Sequence, residues 1–256
     1  MPNVQNYTAA ELLAILSARQ LADGQVVFAG VGIPLLAATL AQRLCCPGLT
    51  ILFEGGVIGA FVEPGKLPPS TNDQRCTRRA NMVLGSADVL LLLQRGYVDV
   101  GFMGGAQIDQ YGNLNSSFIG DPVKPKTRLP GTGGGNDIAS LAQMVVAMKH
   151  EKRRFVEHVD FVTSPGYLRG GDTRRANGLP SGGTFRVVTD LAVFGFDDAE
   201  RRMQVISLNP GVSREQVQEN TGFCLQFAAD LGVTEPPTDQ ELSVLRELDP
   251  EQLYTA

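Results

Sequence analysis

The sequence predicts an α/β fold: an open, mainly parallel sheet flanked by helices. Three observations carry that expectation. Short apolar runs of strand type alternate with helical segments through most of the chain. Glycine-rich stretches follow several of those runs, where open α/β sheets place their ligands. Capping signatures mark helix starts at Thr8-Ala9-Ala10-Glu11, Ser213-Arg214-Glu215-Gln216 and Thr238-Asp239-Gln240-Glu241.

Taken in order, the first helix carries Leu12, Leu13, Leu16 and Leu21 toward a core and ends at Asp23-Gly24. Residues 25–29 read as a buried strand. Gly30-Val31-Gly32-Ile33-Pro34 then leads into a helix over about 35–44, with Pro34 suited to its first turn. This glycine turn is either a phosphate cradle or a tight strand-to-helix connection, and it lacks the dinucleotide fingerprint and the P-loop lysine. Residues 49–53 form the next strand, which ends in Glu54-Gly55-Gly56. Residues 59–73 read as an irregular loop with Pro64, Gly65, Pro68 and Pro69. Ser86 caps a short helix that stops before Gly96, and 98–103 is a strand running into Gly104-Gly105. A Pro/Lys-rich connection over 121–130 precedes Gly131-Thr132-Gly133-Gly134-Gly135. Strands follow at 144–148 and 159–163, then a Gly/Arg-rich loop at 164–183. Residues 186–189, 192–196 and 203–208 form a meander with antiparallel character. A helix from Ser213 stops at Gly222, and the last helix carries Leu242, Leu245 and Leu248. No repeat or linker divides the chain, so 1–256 reads as one domain.

Composition narrows the function. The chain has 256 residues, 43% hydrophobic and 19% charged, which fits a globular core rather than disorder. A net charge of −5 gives no basic footprint for nucleic acid. No apolar run is long enough for a membrane span. The N-terminus shows no basic-then-apolar signal pattern. Cys45, Cys46, Cys76 and Cys224 form no C-x-x-C pair, and His150 and His158 lie near no cysteine in sequence, so no metal site is expected. Reduced cysteines fit a cytoplasmic protein.

Chemistry has few candidates. His150 and His158 are flanked by no nucleophile motif, and G-x-S-x-G is absent, so both read as structural. Cys45 and Cys46 sit at a helix end, where the dipole raises a thiol pKa. Glu54 follows an apolar strand and precedes two glycines. It reads as a covalent nucleophile at a strand mouth or as a solvated, salt-bridged side chain. The glycines of 104–105 and 131–135 read as turn formers or as backbone N–H donors to an oxyanion. Lys124, Lys126 and Arg128, and the run Lys149, Lys152, Arg153 and Arg154, suit an anionic ligand or a solvated basic face.

Several motifs also carry a resemblance. Phe53-Glu54-Gly55-Gly56, Gly104-Gly105-Ala106-Gln107-Ile108-Asp109 with Tyr111-Gly112-Asn113-Leu114-Asn115, Gly131-Thr132-Gly133-Gly134-Gly135-Asn136, His150-Glu151-Lys152-Arg153-Arg154-Phe155, Thr163-Ser164-Pro165-Gly166 and Glu219-Asn220-Thr221-Gly222-Phe223 resemble the β subunit of class I, glutaconate-type CoA-transferases. Their order and spacing match through nearly the whole chain. The resemblance implies the fold of the NagB/RpiA/CoA-transferase superfamily and a related α subunit as partner, in an α2β2 heterotetramer. It implies acyl-CoA and a carboxylic or dicarboxylic acid as substrates, with CoA as substrate rather than a permanently bound cofactor. It places the nucleophile on Glu54, with oxyanion and CoA contacts on Gly131, Gly133, Gly134 and Gly135, alongside Gly104 and Gly105. The implied reaction is ping-pong transfer through a glutamyl-CoA thioester. Between Gly56 and Val83 the sequence drifts from the glutaconate pattern, which leaves the acyl group open. Acyl-CoA hydrolysis, carbon–carbon hydrolysis or decarboxylation on the same scaffold is the alternative. A non-catalytic sensing domain is a third reading, which Glu54 and the glycine runs weigh against.

Overall fold

Residues 6–179 and 182–256 are described by the computed structural model; residues 1–5 of the N-terminal reading, and 180–181 within the Gly/Arg-rich loop, lie outside them. The chain begins with α1 (Ala9–Ala18), β1 (Val26–Ala29), α2 (Ile33–Leu44), β2 (Thr50–Leu52), β3 (Val57–Ile58), β4 (Met82–Val83) and α3 (Ser86–Gln94). It continues through β5 (Val100–Met103), β6 (Gln107–Asp109), β7 (Leu114–Asn115), β8 (Phe118–Gly120), β9 (Pro125–Arg128), α4 (Gly135–Leu141), β10 (Gln143–Ala147) and β11 (Phe155–Val156). It closes with α5 (Thr173–Ala176), β12 (Gly183–Val188), β13 (Ala192–Gly195), β14 (Gln204–Leu208), α6 (Arg214–Glu219), β15 (Gln226–Val233) and α7 (Asp239–Leu248). Contacts divide the chain into two compact units: 6–91 with Glu235–Ala256, and Leu92–Thr234.

In the first unit β1 pairs parallel with β2, and β2, β3 and β4 follow antiparallel. Helices α1, α2 and α7 pack together. The expected capping box of α1 forms: Glu11 N–H donates to Thr8 Oγ1 at 3.1 Å and Thr8 N–H to the Glu11 carboxylate at 2.8 Å. α1 ends at Ala18, short of Asp23-Gly24, because the Leu21 N–H bonds back to the Ala18 carbonyl and closes a turn. α2 has Pro34 in its first turn and buries Leu35, Leu36, Leu40 and the alanines between them; a helix apolar on all sides belongs in a core. α7 buries Leu242, Leu245 and Leu248 on one face. Arg19 pairs with Glu241 and Arg246 with Glu11, each at 2.7 Å, so α1 and α7 are also tied by charge.

In the second unit the strand order is β15-β14-β13-β12-β10-β5. β5, β10 and β12 run parallel; β13 and β14 return antiparallel, as the meander predicts, and β15 lies parallel to β14. β5 and β13 are buried along their whole length, and β10 along all but its first residue, the pattern of strands covered on both faces. β6, β7 and β11 form a small separate sheet.

Four expectations need correction. Residues 159–163 are not a strand; β11 forms earlier and pairs with β6. Phe161 and Val162 are exposed, and Asp160 accepts from Gly120 N–H and the Gln107 amide, so this stretch braces neighbours instead of extending a sheet. The 121–130 connection is a hairpin, β8–β9, whose turn is fixed by the Asp121 carboxylate accepting Val123 and Lys124 N–H. Ser86 is the first residue of α3 rather than its cap, and Gly85 N–H goes instead to the Asp88 carboxylate at 3.2 Å. β15 is an unanticipated strand with no buried residue.

Candidate functional site

In the first unit, β2 carries the fully buried Ile51, Leu52 and Phe53 straight into a four-residue turn and back out as β3. Gly56 N–H donates to the Phe53 carbonyl and Phe53 N–H to the Val57 carbonyl, both at 2.9 Å. Glu54 therefore sits at the first central position of a hairpin turn, half-buried, at the carboxyl end of a core strand. Neighbouring backbone explains the two glycines. A Cβ on Gly55 would lie 2.6 Å from both the Thr71 carbonyl oxygen and Asn72 Oδ1. On Gly56, whose φ is +103°, it would run into the Leu84 carbonyl. Residues 71–72 and 84 thus cross the turn so closely that side chains are excluded on both sides of its apex.

The 59–73 loop is more tightly held than its composition predicts. Phe61 is flanked by the Arg43 and Arg79 guanidinium groups at 4.9 and 4.2 Å from its ring centre. Glu63 accepts Lys66 and Arg78, each at 3.1 Å, and these cations hold its carboxyl below the usual range, Lys66 most strongly. A cavity of about 50 Å³ opens between Phe61, Glu63, Arg75, Cys76 and Arg78.

In the second unit the glycine runs come together. Gly135 abuts Met103, the residue before Gly104: a Cβ there would be 2.6 Å from Met103 Cε and would collide with Thr132 Oγ1. Not every glycine amide is available to a ligand. Gly131 N–H donates to the Ser116 carbonyl at 2.8 Å and Gly135 N–H to the Thr132 carbonyl at 2.9 Å. The amides of Gly104, Gly105 and Gly133 donate to nothing among the described residues.

Most of the remaining motif residues build a buried polar lattice in the same unit. The Asp109 carboxylate accepts Tyr111 N–H at 2.9 Å, and Asn113 N–H and Nδ2 at 3.1 and 2.9 Å. Burial pushes its pKa up, against the pull of these bonds. Asn113 Oδ1 in turn accepts Gly166 and Leu168 N–H at 2.9 and 3.0 Å. Asn115 donates to Gln107 Oε1 and the Phe118 carbonyl, both at 2.7 Å. Asn136, beside the glycine run, donates to the Thr163 carbonyl at 2.9 Å.

His150 stacks on Phe155 at 3.9 Å, with its ring nitrogens 3.3 and 3.0 Å from the Thr189 and Thr221 hydroxyls. Burial lowers its pKa to about 3, so it is a neutral core residue. Burial likewise pushes the Cys46 thiol up to about 12, with Cys45 adding to the effect, and the Cys76 thiol up to about 11. Neither is an activated nucleophile. Among the described residues no group of three or more His, Cys, Asp or Glu could hold a metal ion, and no helix is long and apolar enough to cross a membrane.

Sequence reasoning missed two positions. Arg174 is buried and donates to the carbonyls of Pro165, Gly166, Ala139 and Ser140, joining the end of α4 to the 165–166 turn. Nothing local separates it from Arg169 or Arg175. Asn72 borders the Glu54 turn, and only the crossing of chain segments reveals it.

This fold, with a carboxylate on a glycine turn and a second unit of glycine loops, fits an acyl-transfer enzyme. Residues 11–220 match the Coenzyme A transferase family, and the chain belongs to it. It is 41% identical over 245 residues to one of the two subunit types, the B type, of 3-oxoadipate CoA-transferase from Pseudomonas knackmussii, covering 95% of this chain and 94% of that one. It is 37% identical over 260 residues to the corresponding B-type chain of glutaconate CoA-transferase from Acidaminococcus fermentans, covering 99% and 97% of the two chains. The crystal structure of that glutaconate enzyme superposes with a TM-score of 0.92 over 98% of each chain. The cholesterol ring-cleaving hydrolase subunit IpdB of Rhodococcus jostii is 39% identical over 154 residues, 59% of this chain and 60% of its own. The IpdAB crystal structure matches at 30% identity over 97% of each chain, with a TM-score of 0.78. The chain is a CoA-transferase subunit of the B type, with the mixed, parallel-centred sheet of that fold.

Proposed function

We propose that this chain works with an α subunit, in a cytoplasmic α2β2 heterotetramer, to move CoA between an acyl-CoA and a carboxylic or dicarboxylic acid, with Glu54 as the covalent nucleophile. One observation carries the reading: a half-buried carboxylate at the apex of a turn whose neighbours are held to glycine by backbone crossing them. A nucleophile fixed on a rigid element loses little orientational freedom when it attacks.

The Glu54 carboxylate adds to the thioester carbonyl of the donor, the C–S bond breaks, and a mixed anhydride forms as CoA leaves as thiolate. The thiolate then adds to the glutamyl carbonyl, the donor acid departs as carboxylate, and Glu54 carries CoA as a thioester. An acceptor carboxylate runs the same steps in reverse, so ping-pong kinetics result. No permanently bound cofactor enters these steps. In the second unit the reading gives oxyanion and CoA contacts to Gly133, Gly104 and Gly105, whose amides are not already engaged. The partner is supported by relatives that are themselves single subunits of two-subunit transferases. Four cysteines without a disulfide suit a reducing compartment.

The test is acyl-CoA incubation followed by peptide mass spectrometry. CoA attached to the Glu54 peptide, and its loss in Glu54→Ala, supports the mechanism. An active Glu54→Ala enzyme without an adduct overturns it. Release of free acid with no acceptor present would move the chain toward hydrolysis, the chemistry named for its ring-cleaving relative.

A further inference from the structure

The second unit holds a cavity of about 370 Å³ that the transfer reaction does not use. Four separate segments build it, and they are bonded to one another. Gln110, only 6% exposed, accepts the Arg202 guanidinium on Oε1 at 2.7 Å and donates from Nε2 to the Glu157 carbonyl at 3.3 Å. Met203 N–H donates to the Gln110 carbonyl at 2.8 Å, and Gly222 N–H to the Phe155 carbonyl at 2.7 Å. Gln218 Nε2 bonds the Phe223 carbonyl at 2.8 Å and closes the far wall. The walls therefore stand before any ligand arrives, which removes part of the ordering cost of binding.

The charge on those walls is specific. Within the basic run, Glu151 takes Lys149, Arg153 and Arg154 at 3.7, 2.6 and 3.3 Å. Lys152 lines the cavity and has no ion pair among the described residues. Arg202 has one guanidinium nitrogen on Gln110, and its other two donate to nothing among the described residues. Glu157 is the single carboxylate of the lining, so two cations against one anion leave one positive charge. The volume falls within the range of small-molecule sites, about 300–1,000 Å³. Lysine and arginine donors converging in a preformed, largely polar basin match the chemistry of a carboxylate or phosphate group.

The geometry points to a binding site for a small oxyanion at Lys152, Arg202 and Gln110, with Cys224 on its rim. Its occupant is either a free anion or a phosphate group of CoA, and the two sources are separable. The site does not rest on Glu54, so Glu54→Ala binds as the parent does, and failure of the covalent mechanism leaves it standing.

Cys224 and Cys45 are both exposed, so one thiol reports on the site and the other is an internal control. The full chain is treated with N-ethylmaleimide in the presence of inorganic phosphate, CoA or dephospho-CoA, and labelling is read by peptide mass spectrometry. Phosphate slows labelling of Cys224 saturably and leaves Cys45 unchanged. Half-protection requires about tenfold more phosphate in Lys152→Gln, the loss of one charge-assisted contact, and Arg202→Gln shifts it the same way. Protection by CoA but not dephospho-CoA identifies the CoA 3′-phosphate as the source; protection by phosphate alone identifies a free ion. No saturable protection by any of the three probes, or equal protection in the parent and Lys152→Gln, overturns the site.

Discussion

The Glu54 turn and the Asp109–Asn113 lattice are both rich in the residue types that mark active sites, and they do opposite work. At the turn, glycine clears space around one acid, and that acid is left half-buried. In the lattice, acid and amide groups are almost wholly buried, and each is engaged with backbone N–H or carbonyl groups. A buried polar group in that state stabilises and specifies a loop, since leaving it unpaired would cost more than the bond contributes. Polar residues in a motif are thus no index of chemistry. What separates the two regions is how far the polar side chain is sunk into the protein and bonded to its backbone.

The contrast is broken most directly at Glu54. Glu54→Ala is expected to lower kcat/KM by about 10³-fold or more. Its melting temperature should stay within about 2 °C of the parent. A large stability loss would move Glu54 into the structural class. Asn113→Ala should do the reverse, destabilising by roughly 2–4 kcal/mol in urea unfolding through the loss of a buried hub. Folded Asn113→Ala protein should keep its turnover number; a selective loss of turnover would make the lattice catalytic.

Acid sharpens the comparison further. His150 is neutral in the fold with a pKa of about 3, against 6.5 as the ordinary value. The unfolded chain therefore binds the extra proton, and stability falls as pH drops from 6.5 toward 3. His150→Gln should flatten that part of the urea midpoint profile. Glu11 acts in a lower window. Its pKa is held below 4.5 chiefly by the Arg246 hydrogen bond, so its contribution is present above 4.5 and disappears as pH falls through the lowered value. The smallest expected effect is Thr238→Ala, about 1 kcal/mol for a lost helix cap with no change in kcat; a larger loss would mean that α7 matters beyond its cap.

Local patterns were legible in the sequence where local physics decides them. All three capping boxes form, because a cap needs only residues three apart. Central strands were legible because burial on both faces demands an unbroken apolar run. β15 escaped because it has no buried face to impose a pattern, and β9 because Pro125 and Lys126 argue against a strand while an exposed hairpin tolerates both. At the site, Glu54 and the glycine runs were readable as residue types in sequence. Which amides are already engaged was not, since Gly131 and Gly135 are bonded to Ser116 and Thr132 by loop geometry. Arg174 and Asn72 matter through partners distant in sequence or through chain crossings, which residue order alone does not carry.

The Phe53–Gly56 turn also bears on how such a protein can change over generations. Gly55 and Gly56 are locked by the segments that pass over them, so almost any substitution there disturbs the fold. Glu54 has no positive φ, so its backbone conformation asks for no particular side chain. A single codon at the apex can therefore vary while the hairpin around it stays put. Selection then has one position at which to exchange a covalent carboxylate for another group, and hence one reaction for another, without rebuilding the scaffold.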